Sequence, residues 1–306
     1  MPSARPSAFM ANPKFAYVYA VLPPLFWSGN FVIARIMRND IPPIQMSFWR
    51  WCFAFLFLLP FAAPLFRGQG AQIRKELPFL LLLGAIGITA FNCFLYSAMH
   101  YTTVVNASLI NSLMPVVCFL FALLFLHQRL RFQQINGVFI AILGAGLIIA
   151  RGDFGTLAAL ALNRGDLMVM GGLTFWAAYT VLIRWRPTKL PILVFLATTF
   201  AIGTVFHLPL VAWEVSRVGG VVLTGEVAAS VLYFAIFPSL LAYVFWNKAV
   251  AAIGPGPTGM YMYLMPVFGA VLGVGLLGEV FLVYHLAGIA MIFAGITLVN
   301  RAPRKS

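Results

Sequence analysis

Two apolar segments of the chain carry the same four residues. The first reads ASLINSLMPVVCFLFALLFL (107–126) and the second reads GMYMYLMPVFGAVLGVGLL (259–277); each contains Leu-Met-Pro-Val, at 113–116 and at 264–267. Proline in a helix interior removes a hydrogen bond and clashes with the preceding turn, at a cost of about 3 kcal/mol. The same costly feature returns after 266 − 115 = 151 residues. This spacing predicts that the chain consists of two copies of one helical unit.

The composition around these segments is that of an integral membrane protein. Of the 306 residues, 62% are hydrophobic and 9% charged, and the mean hydropathy is +0.96, whereas soluble domains carry about 25% charged residues. Apolar runs of about 20 residues, enough to cross a bilayer core, recur along the chain. Their faces are apolar all round, which excludes the alternating strands of a membrane barrel. We predict an all-α polytopic protein with ten transmembrane helices at about 15–37, 44–66, 77–99, 103–126, 133–150, 165–184, 190–212, 226–247, 257–278 and 283–300.

The basic residues predict the orientation of these helices. With the N-terminus inside, fourteen of the twenty Lys and Arg lie on the cytoplasmic side and five outside, while Arg50 lies within a span. The positive-inside rule therefore places both termini in the cytoplasm. The formal charge of +13 then reflects topology, so we expect membrane lipids as partners and no nucleic acid.

The sequence holds no sign of a cofactor, a metal site or an energy-coupling domain. Its three cysteines, Cys52, Cys93 and Cys118, all fall inside apolar spans and form no CxxC pair. There is no GxxxxGK[ST] loop for ATP, and no paired carboxylates or nucleophile with a base within the spans. We therefore expect neither an enzyme nor an ATP-driven pump.

The duplication extends beyond the shared tetrapeptide. Gly137, Gly144 and Leu147 align with Gly288, Gly295 and Leu298 at the same offset, and Trp27 and Arg35 align with Trp176 and Arg184 at an offset of 149. Each copy holds five spans, an odd number, so the second copy must cross the membrane inverted. Inverted repeats are typical of transporters that hold their substrate near the midplane and work by alternating access.

These residues also resemble a known family. Pro43 and Arg50 in PIQMSFWRW, the stretch YSAMHYTTVVNASLINSLMPV, the pair Gly278-Glu279, and the later glycines are similar to the drug/metabolite transporter superfamily, with EamA-type five-helix domains at 15–150 and 165–301. The resemblance implies a ten-helix exporter of small metabolites, most similar to the bacterial aromatic amino-acid exporters. The first half departs from the pattern, since it has His127-Gln128 where the second half has Gly278-Glu279.

Uncharged polar and aromatic side chains deep in the spans are the candidate substrate ligands. An aromatic and amide-lined cavity suits a mostly apolar solute with a few hydrogen-bonding groups, such as a zwitterionic amino acid. Trp27-Ser28-Gly29-Asn30 follow Pro23-Pro24 in the first span, which predicts an interrupted helix beside this cavity. Packing between helices is an equally weighted explanation for each ligand. The candidates are Asn30, Asn92, Tyr96, Asn111, Trp176, Tyr179, Tyr243, Trp246 and Tyr261.

Four further residues are candidates for gating or structure. Pro115 and Pro266 predict a pair of symmetry-related kinks, either hinges or static bends. Arg50 either reaches the interface with its long side chain or anchors helix ends or a substrate carboxylate. Glu279 is interpreted as a contact at the end of the ninth helix, and His207 in the seventh span as a hydrogen-bonded structural residue.

The sequence thus predicts a secondary or facilitative exporter of amino acids, including aromatic ones, in the cell inner membrane. No acid lies at the centre of a predicted span, which favours uniport over proton antiport. Export of organic cations or other metabolites is the alternative, and a channel or receptor a remote one. We expect a monomer or a weak dimer.

Overall fold

A computed structural model describes residues 15–37, 39–98, 101–102, 107, 110–128, 131–153, 155, 163–277 and 282–301 of the chain. These residues form helices and turns without a strand. The helices are α1 (Ala16–Ile36), α2 (Pro43–Ala62), α3 (Gly70–Ala98), α4 (Met114–Leu126), α5 (Phe132–Ile149), α6 (Arg164–Trp185), α7 (Ile192–Val218), α8 (Gly225–Ile253), α9 (255–277) and α10 (Val283–Arg301).

Seven of the helices are long and apolar enough to cross a membrane. They are α2 with its short 3₁₀ extension, α3, α5, α6, α7, α8 and α10, while α4 is a shorter apolar helix. The predicted all-helical membrane fold is therefore confirmed in the described part of the chain. The crossing number of ten and the cytoplasmic position of both termini stay predictions.

Helix α1 is continuous, so the predicted interruption after Pro23-Pro24 is wrong. Both prolines lie inside the helix. Ser28 donates hydrogen bonds to the carbonyl oxygens of Pro24 at 2.7 Å and of Met265 in α9 at 3.1 Å. Packing against α8 and α9 thus stabilises a continuous α1, although Pro23 and Pro24 disfavour a helix at this point.

The two central prolines each begin a regular helical segment. Pro115 is the second residue of α4 and follows a turn at Ser112 and Leu113. In α9, Pro266 is the third residue of the segment Leu264–Leu277, which follows a 3₁₀ turn at Tyr261–Tyr263. First-turn N–H groups have no partner within a helix, so proline costs little there. The regular α-helix is interrupted just before both prolines, and the predicted kinks and hinge motion stay predictions.

Two long helices share a second irregularity, a segment of π-helix. It covers Gly84–Ala90 in α3 and Ala235–Leu241 in α8, and the offset of 235 − 84 = 151 matches that of the repeated tetrapeptide. π-Turns widen the helix and leave carbonyl groups available to side chains. The third and eighth helices thus carry the same distortion at equivalent points.

Contacts between helices follow the duplication. Helix α1 packs on α8 and α9, and the equivalent helix α6 packs on α3 and α4; α2 packs on α7, and α5 on α10. In the last pair Gly137 lies against Gly295 and Gly144 against Gly288. Because Gly137 aligns with Gly288 and Gly144 with Gly295, the two helices run antiparallel and exchange equivalent contacts, as a twofold relation requires.

Candidate functional site

A narrow cavity of about 30 Å³ lies at the centre of the fold. Side chains from both halves line it, including six of the predicted substrate ligands: Asn30, Asn92, Tyr96, Asn111, Trp176 and Tyr243. Its volume accommodates one or two water molecules and no amino acid. The cavity must therefore widen before it can admit an amino acid.

Aromatic rings form the wall of the cavity on the side of the second half. Trp176 stacks on Tyr179 with ring centroids 5.3 Å apart and an interplanar angle of 18°, and meets Trp27 edge-on at 5.3 Å. Trp246 packs on Trp27 at 5.3 Å and on Trp176 at 5.5 Å. Such pairs contribute about 0.5–1.5 kcal/mol beyond the area they bury. Tyr179 and Trp246 thus support the lining rings from behind.

The π-segments of the two halves are bonded by aromatic side chains of the opposite half. Trp27 donates from Nε1 to the carbonyl oxygen of Pro238 at 2.9 Å, and Tyr243 donates from its hydroxyl to that of Gly87 at 2.6 Å. Gly87 and Pro238 differ by 151 positions, so the two acceptors are equivalent. Each of the two aromatic side chains is therefore bonded to a backbone carbonyl in the distorted helix segment of the opposite half.

Two asparagine–tyrosine pairs flank the cavity at equivalent places. In the first half the Tyr96 hydroxyl donates to Asn30 Oδ1 at 3.3 Å; in the second half Asn247 Nδ2 donates to the Tyr179 hydroxyl at 3.0 Å. Tyr96 aligns with Asn247 at an offset of 151, and Asn30 with Tyr179 at 149. Asn in one half thus stands where the other half has Tyr, and the bond joins equivalent helices, α1 to α3 in the first half and α6 to α8 in the second.

Among the residues that the structure describes, Arg50 is the one charged side chain that lines the cavity. It is 3% exposed, so the interpretation that it reaches the interface is wrong. Its Nε donates to Ser239 Oγ at 2.8 Å, in the π-segment of α8. Its Nη1 donates to the Tyr96 hydroxyl and, at 3.5 Å each, to the side-chain oxygens of Asn30 and Asn92. This guanidinium therefore joins α2 to α1, α3 and α8.

The remaining predicted site residues lie elsewhere. Tyr261 faces a peripheral groove of about 340 Å³ between α1, α9 and α10, where its hydroxyl accepts from Asn300 Nδ2 at 2.9 Å. Pro115 and Pro266 lie close behind the cavity, since Asn111 and Met265 line it. Glu279 is outside the described residues.

Sequence reasoning missed two buried carboxylates at the ends of the α2–α7 pair. Glu214 in α7 accepts from the backbone N–H groups of Ile44 at 3.0 Å and Gln45 at 2.8 Å, at the start of α2. Glu76 in α3 accepts from the Thr188 hydroxyl and from Lys189 N at 3.2 Å, just before α7. Both are 6% exposed. A signal existed for Glu214, which lies two helical turns after His207 and hence on the same face of α7.

His207 is hydrogen-bonded in the interior, as expected, and its assignment as a structural residue stays a prediction. Its Nδ1 lies 2.8 Å from the carbonyl oxygen of Gly203, which can only accept, so Nδ1 carries a proton. Its Nε2 lies 2.8 Å from Ser47 Oγ in α2. Both ring nitrogens are partnered within the α2–α7 interface.

Comparison with known proteins matches both halves of the chain to one transporter family. Residues 14–150 and 163–301 each match the model of the EamA-like transporter family. Relatives include a transporter named YyaM from Bacillus subtilis, 27% identical over 89% of both chains, and a probable terminal-alkyne amino-acid exporter from Streptantibioticus cattleyicolor, 29% identical over 92% of both chains. A probable amino-acid metabolite efflux pump from Salmonella typhimurium is 24% identical over 90% of this chain and 92% of its own.

A solved crystal structure shares the fold. It matches 93% of this chain and 96% of its own with a TM-score of 0.76 and 19% sequence identity. The relatives and the family therefore agree on a multi-pass membrane transporter, a class of protein distinct from enzymes.

Proposed function

The chain belongs to the EamA-like transporter family, and on that premise we propose that it exports amino acids, aromatic ones among them, across the bacterial inner membrane. Two relatives are named for amino-acid or amino-acid-metabolite export. Both termini lie in the cytoplasm in this proposal, in keeping with the distribution of Lys and Arg.

The central cavity is the observation that carries the proposal. Its lining combines aromatic and apolar side chains with a polar cluster in which the Arg50 guanidinium bonds to Asn30 and Asn92. A solute that fits such a lining has an apolar, preferably aromatic, body and a compact polar end. Amino acids with aromatic side chains meet both conditions.

Alternating access follows from the symmetry of the contacts around the cavity. The pairs α1–α8 and α6–α3, and α1–α9 and α6–α4, are equivalent, so a rearrangement that opens one side has a counterpart that opens the other. The cavity of about 30 Å³ is too small for an amino acid, so the proposed cycle includes conformations in which the cavity is wider. Transport by uniport or exchange is proposed, because none of the six described acidic residues lines the cavity.

Organic cations are the competing substrates. Trp27, Trp176 and Tyr243 offer aromatic faces, which attract cations. The buried guanidinium of Arg50 repels them, which favours amino acids.

Counterflow in proteoliposomes tests the proposal. Vesicles loaded with unlabelled phenylalanine should accumulate external labelled phenylalanine above empty vesicles, with no requirement for a pH gradient. The same vesicles should show less counterflow with nucleosides and with organic cations such as tetraphenylphosphonium. Amino-acid uptake equal to that of protein-free vesicles would refute amino-acid export, and strict dependence on the gradient would refute uniport.

A further inference from the structure

The positive charge of Arg50 is buried without a counter-charge in the described part of the chain. Its guanidinium contacts one aliphatic hydroxyl, one phenol and two amide oxygens, all of them neutral. Asp40, Glu76, Asp153, Asp166, Glu214 and Glu226 are the acids that the structure describes, and none of them lines the cavity. A buried charge is costly unless it is paired.

The guanidinium also retains donor capacity. Nε and Nη1 are bonded, but Nη2 makes no hydrogen bond with any described residue. A planar guanidinium with free N–H groups beside a cavity matches a carboxylate in shape and charge.

A second donor without a partner lies in the same lining. Trp176 is 1% exposed, and its indole Nε1–H has no hydrogen-bond partner among the residues that the structure describes. By contrast, Trp27 and Trp246 donate from Nε1 to Pro238 and Thr180, at 2.9 and 3.1 Å. Buried N–H groups are rarely left unpaired, so a ligand that occupies the cavity would supply the missing acceptor.

From these observations we infer that the cavity holds a carboxylate subsite, formed by Arg50 with the Trp176 N–H as a further donor, and that the carboxylate of the solute decides selection. The inference rests on the proposed function only in placing the solute in the central cavity. The ammonium group of an amino acid has no described carboxylate to meet there, so it contributes less to recognition. The site therefore takes aromatic monocarboxylates in general, amino acids included, and rejects amines and amides of the same shape.

A panel of four phenyl compounds separates these contributions in purified wild-type protein. Competition against labelled phenylalanine, or thermal stabilisation in detergent, is measured for phenylalanine, 3-phenylpropionate, phenethylamine and phenylalaninamide. The first two carry a carboxylate and the last two do not. We expect 3-phenylpropionate to bind within about tenfold of phenylalanine, and the other two to bind about 10- to 100-fold more weakly, the range that hydrogen bonds to a charged group span.

Substitutions of Arg50 and Trp176 test whether these two donors cause the preference for carboxylates. Arg50→Gln removes the charge, and we expect it to weaken carboxylate binding about 10- to 100-fold and to abolish discrimination against phenethylamine. Trp176→Phe keeps a ring but removes the N–H, and should weaken carboxylates alone. Trp213→Phe is the control and should leave binding of all four compounds unchanged, because it makes the same chemical change on an exposed ring that does not line the cavity.

The inference can be tested even if the Arg50→Gln variant does not fold. Arg50 joins four helices, so if Arg50→Gln does not yield monodisperse protein, the wild-type panel and Trp176→Phe decide. Phenethylamine that binds as well as 3-phenylpropionate would overturn the inference, and so would a panel in which no carboxylate stabilises the wild type.

The two proposals fail in different ways. Binding of 3-phenylpropionate without phenylalanine counterflow would refute amino-acid export and keep the carboxylate subsite. Phenylalanine counterflow that phenethylamine inhibits as strongly as 3-phenylpropionate does would keep export and refute the subsite.

Discussion

Tyr179 illustrates how a single residue acts on the cavity without lining it. Its ring stacks on Trp176, and its hydroxyl donates to Asn247 Oδ1 at 3.3 Å. Gly87 makes this position possible, because a Cβ atom there would lie 2.3 Å from the Tyr179 ring. The ring therefore fixes the orientation of Trp176, while the hydroxyl holds α6 to α8.

Substitution of Tyr179 separates these two contributions. Tyr179→Phe keeps the stacked ring and should retain phenylalanine counterflow, with a stability loss of about 0.6–1.7 kcal/mol, as for hydrogen bonds between membrane helices. Tyr179→Leu keeps an apolar side chain but loses the stacking, and counterflow should fall several-fold in protein that remains monodisperse. Equal rates in the two variants would show that Tyr179 contributes packing alone.

At the scale of an element, irregular backbone occurs where the two halves meet. The π-segments Gly84–Ala90 and Ala235–Leu241 provide the carbonyl groups that bind Tyr243 and Trp27. The interruptions of regular helix before Pro115 and Pro266 lie where α4 and α9 approach each other, with Gly259 against the Pro115 backbone. The hydrogen bonds that Trp27 and Tyr243 make to the opposite half thus both end on π-helical backbone.

Helices α5 and α10 show the opposite case, regular helices that cross closely at glycine. A Cβ atom on Gly144 would lie 2.7 Å from the Gly288 carbonyl oxygen, whereas one on Gly146 would meet nothing within 4 Å. The close approach of the two backbones therefore depends on Gly144 and not on Gly146.

A pair of alanine substitutions tests this crossing. Gly144→Ala should lower stability by about 1–3 kcal/mol, because the helices must move apart. Gly146→Ala should leave it unchanged or raise it by up to about 1 kcal/mol, since alanine favours the helix. Thermal unfolding in detergent measures both, and similar midpoints for the two variants would contradict the close crossing.

At the scale of the whole molecule, one buried carboxylate closes each end of the interface between the halves. Glu214, from the second half, accepts hydrogen bonds at the start of α2, and Glu76, from the first half, accepts them just before α7. Anionic groups at a helix N-terminus are stabilised by the unpaired N–H groups and the helix dipole. By the predicted topology Glu214 closes the outer end and Glu76 the cytoplasmic end.

Neutral substitutions at these two ends should bias the conformation in opposite directions. Leu95 lines the cavity. In a protein whose three natural cysteines have been replaced, the reactivity of Leu95→Cys therefore reports how accessible the cavity is from each side. Glu214→Gln should speed the reaction of this cysteine with an impermeant thiol reagent added outside, and Glu76→Gln should speed it with the reagent inside. We expect an acceleration of about tenfold if the lost hydrogen bonds had stabilised the closed end by roughly 1.4 kcal/mol.

The exposed acid at the start of α8 is the control for this experiment. Glu226→Gln removes a carboxylate that is exposed and makes no hydrogen bond to the first half among the described residues, so it should leave both rates unchanged. Acceleration from the same side by Glu214→Gln and Glu76→Gln would contradict the assignment of one carboxylate to each end.

Much of the candidate site could be predicted from local chemistry. A polar or aromatic side chain deep in an apolar run needs a reason to be there, and Asn30, Asn92, Tyr96, Trp176 and Tyr243 line the cavity. The same criterion also selected Tyr261, which faces the peripheral groove instead. Hydropathy places a residue within a span, but it does not say whether that side of the helix faces the central cavity, another helix or lipid.

The sequence by itself determined the helical class, the two-copy organisation and the family, because these follow from apolar length, the backbone's need for internal hydrogen bonds in lipid and a repeat legible along one chain. Only the tertiary structure decided the continuity of α1, the pairing of Arg50 with Ser239 and the carboxylates at both ends of the α2–α7 pair. Each of these joins residues far apart in the chain. Their energies depend on distance and burial in three dimensions, which no local pattern encodes.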